Sequence, residues 1–266
     1  MYDIHSHIIY GVDDGSPDEA STRTLLDMAK KCGTNTIVAT PHVIEANNHP
    51  SWELIQERVA QLRGFAEEQK LELEILPGAE VMLSHDILSI YDEAPHAYCL
   101  NGSRYALVEM PMLEVPHFTE DIFYEMQLRG LTPVLAHPER YPDLFASSTN
   151  RQRLIEWCTK GVLLQCNGGS LLGKFGHRAQ HNVELLLYNK MISFMGSDAH
   201  RVKARNTDLA AERSRLVELC GKEYAEEICI YNPKAILANE VFYADVPKKL
   251  EHLPEKKKSF WQKLFG

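Results

Sequence analysis

Seven short runs of β-branched and aliphatic residues recur along this chain, alternating with longer stretches that carry apolar residues at helical spacing. That alternation is the mark of βα units and a parallel sheet, and it constrains the fold more than any other feature. The runs are Tyr2 to Ile4, Thr36 to Ala39, Leu73 to Leu76, Tyr105 to Val108, Thr132 to Leu135, Val162 to Gln165 and Ile192 to Met195. Helical patterns cover Pro17 to Lys31, Trp52 to Gln69, Glu120 to Arg129, Arg151 to Lys160 and Gln180 to Tyr188, and after the last strand Thr207 to Leu219, Tyr224 to Ile230 and Pro233 to Asn239. The expected fold is therefore α/β: a distorted, seven-stranded (β/α)7 barrel of the TIM-like kind, built from residues 1–247 as one domain.

Ligand-type residues fall where such a barrel would use them. His5 and His7 end the first run as His-x-His, on one face of a strand. His42 follows the second run, Glu80 the third, Glu109 the fourth and His137 the fifth, while the last gives Asp198 and His200. Asp13 and Asp14 lie in the loop after the first run. Each has an ordinary structural explanation alone, but residues just past the carboxyl ends of barrel strands converge on one mouth. Imidazole and carboxylate without thiolate suit manganese, iron or zinc and disfavour a closed structural zinc site. Nine ligands (His5, His7, Asp14, His42, Glu80, Glu109, His137, Asp198, His200) exceed the needs of one ion. Three divalent ions would outweigh the four carboxylates among them and leave an electropositive pocket suited to a phosphate dianion.

The formal charge of -9 excludes the broad basic footprint of a nucleic-acid binder. Six scattered cysteines form no C-x-x-C pair and read as buried hydrophobes in a reducing compartment. No basic n-region opens the chain and no stretch is apolar enough to span a bilayer, so a cytoplasmic location is expected. Residues 248–266 change character: they carry six lysines against two glutamates and end in Phe260, Trp261, Leu264 and Phe265. On a helix they would form a basic amphipathic tail, suited to peripheral contact with the inner face of an anionic membrane or to a partner groove.

Five segments carry a family likeness: Asp-Ile-His-Ser-His (3–7), Val-Asp-Asp-Gly-Ser (12–16), Gly-Ala-Glu (78–80), Ala-His-Pro-Glu-Arg-Tyr (136–141) and Gly-Ser-Asp-Ala-His (196–200). Together with Gly-Ser-Leu-Leu-Gly-Lys-Phe-Gly (169–176), they resemble the polymerase-and-histidinol-phosphatase (PHP) superfamily. Within it, the likeness is to the bacterial manganese-dependent protein-tyrosine phosphatases of capsule and exopolysaccharide clusters, the CpsB/CapC-like group. The likeness runs from Met1 to about Tyr243.

The resemblance implies the PHP barrel, with its metal site at the C-terminal ends of the strands. It implies three divalent ions, manganese first and iron or zinc as alternatives. The first would be held by His5, His7, Glu80 and Asp198, the second by Glu80, Glu109 and His137, and the third by Asp14, His42 and His200. Arg140 and Arg205 match the family's phosphate-binding arginines, and with His42 they are the expected catalytic residues. Phosphotyrosine hydrolysis is implied, on the tyrosine-phosphorylated tail of a membrane-associated kinase that regulates polysaccharide export. No Cys-x5-Arg motif is present, so cysteine-based phosphatase chemistry is not expected. The competing readings are a histidinol-phosphate or other small-molecule phosphoesterase, a nuclease, and a phosphotyrosine-docking module without catalysis. Arg201 departs from the family's common Asn after the last histidine.

Overall fold

The computed structural model describes residues 1–45 and 47–253. The end of the expected amphipathic tail, 254–266, lies outside these residues.

Among the described residues, nine parallel strands form two sheets that curl toward one another. The first sheet has the order β1-β2-β4 (Tyr2–Ser6, Thr36–Ala39, Glu74–Pro77). The second has the order β3-β5-β6-β7-β8-β9 (His42–Val43, Glu80–Met82, Tyr105–Glu109, Thr132–Ala136, Leu163–Asn167, Phe194–Gly196). A parallel bridge between Ser6 and Ala199 joins β1 to the segment after β9. Two strands exceed expectation because the second and third runs are each followed by a further short strand. Pro41 has no N–H for the ladder and separates β2 from β3. Gly78 separates β4 from β5, where a Cβ would lie 2.9 Å from Val38 Cγ1. Past these breaks the chain pairs differently: β2 pairs with β1 and β4, whereas β5 pairs with β3 and β6.

The helices are α1 (Glu19–Lys31), α2 (Trp52–Glu68), α3 (Ser89–Glu93), α4 (Thr119–Leu128), α5 (Ser148–Thr159), α6 (Gly168–Leu171), α7 (His177–Tyr188), α8 (Ala210–Cys220), α9 (Lys222–Glu226) and α10 (Asn232–Leu237). Local chemistry starts the long ones. Asp18 accepts from Ser21 N at the head of α1, Ser51 from Leu54 N at α2, and Ser147 from Asn150 N at α5. Their buried residues follow the helical period, as Ile55, Val59, Leu62 and Ala66 do in α2. The short helices α3 and α6 carry too few turns for a periodic signal. No helix among the described residues is long and apolar enough to cross a membrane.

Alternation along the strands builds two cores. One face sends Ile37, Ile75, Ala106, Val108, Leu135, Leu164 and Met195 against the helices. The other sends Ile4, Val38, Leu76, Leu107, Val134, Leu163 and Phe194 into a second cluster, floored by Ile236 and Leu237 of α10. Toward the strands' carboxyl ends this second face changes chemistry. Leu107 is followed two residues on by Glu109, Leu163 by Gln165, and Phe194 by Gly196 and then Asp198.

Candidate metal centre

Glu80 opens β5, directly opposite His42 in the register of β3. Its carboxylate is fully buried, and four imidazoles reach it. Oε2 lies 3.3 Å from His5 Nε2, 3.2 Å from His7 Nε2 and 3.1 Å from His42 Nδ1, and Oε1 lies 2.8 Å from His137 Nε2. Glu109, ending β6, adds Oε1 at 2.8 Å from His42 Nδ1. Asp198 Oδ1 stands 3.6 Å from both His5 and His7 Nε2 and 3.5 Å from His200 Nδ1. Exposed Asp14 faces His42 Nε2 at 3.5 Å and His200 Nε2 at 3.4 Å. All nine ligand residues expected from the sequence thus meet at one mouth.

Two of them sit on unusual backbone. His137 (φ 36°) and Asp198 (φ 52°) are left-handed non-glycine residues, a cost in conformational energy that clusters at functional sites. Gly196 lets β9 approach β1 beside them, since a Cβ there would fall 2.6 Å from His5 Cβ.

The tightly grouped sets differ from the expected division into three sites. Ligand atoms within 4.8 Å of one another come from His5, His7 and Glu80; from His42, Glu80 and Glu109; and from His7, Asp14, His42 and His200. His42 straddles two groups because its ring nitrogens point opposite ways, Nδ1 at Glu80 and Glu109 and Nε2 at Asp14. His7 joins two groups. His137 pairs with Glu80 and stands 4.0 Å from Glu109, and Asp198 is gripped by arginines. Arg140 Nη1 donates to its Oδ2 at 3.0 Å, and Arg205 Nη2 donates to its Oδ1.

Several residues that sequence reasoning missed orient this set. Asp13 Oδ2 accepts from His7 Nδ1 at 2.7 Å and from His42 N at 2.9 Å, leaving His7 Nε2 turned inward. Gln165 Nε2 donates to Cys166 O and Asn167 Oδ1, so its Oε1 is the acceptor 2.9 Å from His5 Nδ1, and His5 Nε2 is likewise turned inward, toward Glu80 and His7. Asn167 Nδ2 donates to Asp198 Oδ2 at 2.5 Å. Buried Glu139 accepts from Asn167 N and Ser170 Oγ. Asp13 stood out in the sequence as half of the Asp-Asp pair, and Glu139 and Ser170 lie within segments that carry the family likeness. Glutamine and asparagine inside strands carry no such signal.

Electrostatics follow from the packing. Burial opposes charge on His7, but Asp13 and Glu80 outweigh it and hold the imidazole up to about 9. His42 is also held up to about 9, with Glu109 and Glu80 overcoming burial. Burial, with His7 and Arg205 nearby, pushes His200 down to about 3, so it is a neutral nitrogen donor. Burial works against Asp13 too, yet His7 brings it to about 2. Glu80 and Asp198 stay ionised against burial chiefly through His5.

This donor set fits divalent cations. His137 Nδ1 is buried without a partner, while His42 Nδ1, Glu80 Oε2 and Glu109 Oε1 are buried, crowd one another at 2.8–3.1 Å and make no well-directed hydrogen bond. Orphaned buried polar atoms are costly, and a cation among them would satisfy several at once. The fold and site define a curled parallel α/β sheet with an imidazole–carboxylate cluster at the carboxyl ends of its strands.

Comparison with known proteins gives the family. Residues 1–238 match the family model for capsular polysaccharide synthesis, CpsB/CapC, and the chain belongs to that family. It is 31% identical over its full length to the tyrosine-protein phosphatase YwqE of Bacillus subtilis, covering 99% of that protein. It is 32% identical, over 93% of this chain and 95% of the relative, to the putative tyrosine-protein phosphatase CapC of Staphylococcus aureus. A solved structure from work on YwqE and Streptococcus pneumoniae CpsB, described as unique metal-dependent tyrosine phosphatases, superposes with a TM-score of 0.87. There the identity is 31%, over 95% of this chain and 100% of the other.

Proposed function

We propose that the protein is a metal-dependent protein-tyrosine phosphatase of capsule or exopolysaccharide synthesis. The observation that carries this reading is Glu80, one buried carboxylate within 3.3 Å of four imidazoles, in a chain of the CpsB/CapC family. His5, His7, Asp14, His42, Glu80, Glu109, His137, Asp198 and His200 would hold three divalent ions, with manganese as the metal and iron or zinc as alternatives. Such ions, when bound, supply Lewis acidity and draw a nucleophile from water at neutral pH.

The chain's own groups do the rest. Arg140 and Arg205 receive the non-bridging phosphoryl oxygens, the chemistry for which planar guanidinium forks are suited. Asp13 and Gln165 keep His7 and His5 turned inward, and neutral His200 offers a lone pair instead of a proton. Phenolate, with a parent pKa of ~10, departs without strong acid help. A cysteine nucleophile is disfavoured, because burial pushes the Cys158 and Cys229 thiols up to about 12.

The nine strands read as seven staves of a (β/α)7 barrel, with β2/β3 and β4/β5 each one interrupted stave. Residues 1–247 form that barrel, and 248–266 a tail working beside the inner membrane face. The substrate is the phosphorylated tail of a membrane-associated tyrosine kinase on the cytoplasmic side.

Chelator-stripped protein supplied in turn with Mn, Zn, Fe and Mg, and assayed on a phosphotyrosyl peptide, tests the reading. Manganese should restore turnover, and His42→Ala and Arg140→Ala should abolish it. If no metal restores it while histidinol phosphate or an oligonucleotide is cleaved, the substrate assignment fails.

A further inference from the structure

The Gly-Ser-Leu-Leu-Gly-Lys-Phe-Gly segment (169–176) supplies no metal ligand, yet it is built with care around one side chain. It begins in α6 and ends in a tight loop. Gly173 N donates to Ser170 O at 3.1 Å, Lys174 N to Gly169 O at 3.0 Å, and Gly176 N to Gly173 O at 3.0 Å. Gly173 (φ 72°) and Gly176 (φ 90°) take conformations that a side chain would strain. Lys174 Nζ reaches the buried Glu212 carboxylate at 2.6 Å and ties the loop to α8.

The residue so pinned is half-buried Phe175. Arg140 Cζ lies over its ring at 4.5 Å from the centroid, and Arg205 Cζ at 5.6 Å. The two arginines come from different loops, after β7 and after β9, and the ring is common to both. Gly169 is fitted to that ring, since a Cβ there would come within 2.9 Å of Phe175 Cε2.

We propose that Phe175 is a positioning residue for phosphate binding, holding the Arg140 and Arg205 guanidiniums side by side so that they meet the phosphoryl oxygens as one fork. Asp198 already takes Arg140 Nη1 on Oδ2 and Arg205 Nη2 and Nε on Oδ1 and its carbonyl, and the ring, which attracts a guanidinium through its quadrupole, adds a contact that uses none of the remaining N–H donors. Ordering two long side chains before the anion arrives also lowers the entropy lost on binding. The inference rests on the reading that Arg140 and Arg205 bind phosphate.

The test uses the full chain loaded with manganese. Calorimetry with inorganic phosphate gives an affinity that needs no turnover, and KM and kcat for a phosphotyrosyl peptide, metal content and melting temperature are measured alongside. Phe175→Leu should weaken phosphate binding and raise KM by roughly 3–30-fold, the range expected for cation–π contacts, with bound metal unchanged. Phe175→Tyr, which keeps the ring, should restore both. Gly169→Ala, which displaces the ring without removing it, should shift phosphate affinity the same way and decides the matter if Phe175→Leu folds poorly. In an Arg140→Ala/Arg205→Ala background, Phe175→Leu should have little further effect. Unchanged phosphate affinity in Phe175→Leu, or an equal loss without the arginines, overturns the proposal. If the peptide is not hydrolysed while phosphate affinity still depends on Phe175, the substrate reading fails and the positioning role stands.

Discussion

The same strand faces carry two buried regions of opposite chemistry. Near their amino ends Ile4, Val38, Leu76, Leu107, Val134, Leu163 and Phe194 pack as hydrocarbon on α10. Two to four residues further on, Glu109, Gln165 and Asp198 face a pocket of imidazoles with similarly little solvent exposure. The first region follows the ordinary logic of burial, each side chain contributing ~1.5–3 kcal/mol by leaving water. The second pays desolvation for five histidines and several carboxylates that stay ionised. Burial of this kind is retained where it serves chemistry instead of stability.

The largest effect that sharpens the contrast is Glu80→Ala. It should lower kcat/KM by ~10³-fold or more, because the hub of the cluster is lost. Bound metal, measured by elemental analysis, should fall with it, and retention of full metal content would break the comparison. Leu107→Ala, on the same face as Glu109, should instead cost ~2–5 kcal/mol in urea unfolding. Metal content per folded molecule and kcat/KM should stay near wild type.

Chelation should come next, lowering the melting temperature by ~5–10 °C, as expected if bound ions add ~3 kcal/mol; an unchanged melting curve would argue against resident ions. Asp13→Asn should then weaken metal binding by ~10–100-fold without unfolding the chain, because His7 loses the partner that turns Nε2 inward.

The smallest effect concerns pH. In metal-free protein, His7 and His42 are raised from ~6.5 in the unfolded chain to about 9. The stability they contribute is full below pH ~6.5 and is lost as pH rises through about 9. Denaturant melts of stripped protein at pH 6.5 and 9 read this directly, and a flat profile would show that the imidazoles are not held charged.

Much of this was legible before any coordinates. The strand runs were placed within a residue or two, and α1 and α2 begin within two residues of their expected starts, because hydrophobic period and side-chain caps are local signals. The nine candidate ligands were readable because each falls at or just past the end of one of the seven runs, or in the loop after the first. Arg140 and Arg205 came only by resemblance, as nothing local separates an anion-binding arginine from a solvated one. The close groups of ligand atoms differ from the division that the resemblance implies, since His42 offers two nitrogens and the backbone decides where each points.

Residue type and order therefore determined the βα alternation, the chemistry of the donors and their place at the strands' carboxyl ends. Tertiary structure alone decided that Pro41 and Gly78 break two strands, that Glu80 is the hub, that Asp13 and Gln165 aim the histidines, and that Phe175 lies beside two arginines. Those facts depend on distances between segments far apart in the chain. Such distances are set by sheet register and curvature, which arise from packing across the whole molecule and leave no imprint on any single stretch of sequence.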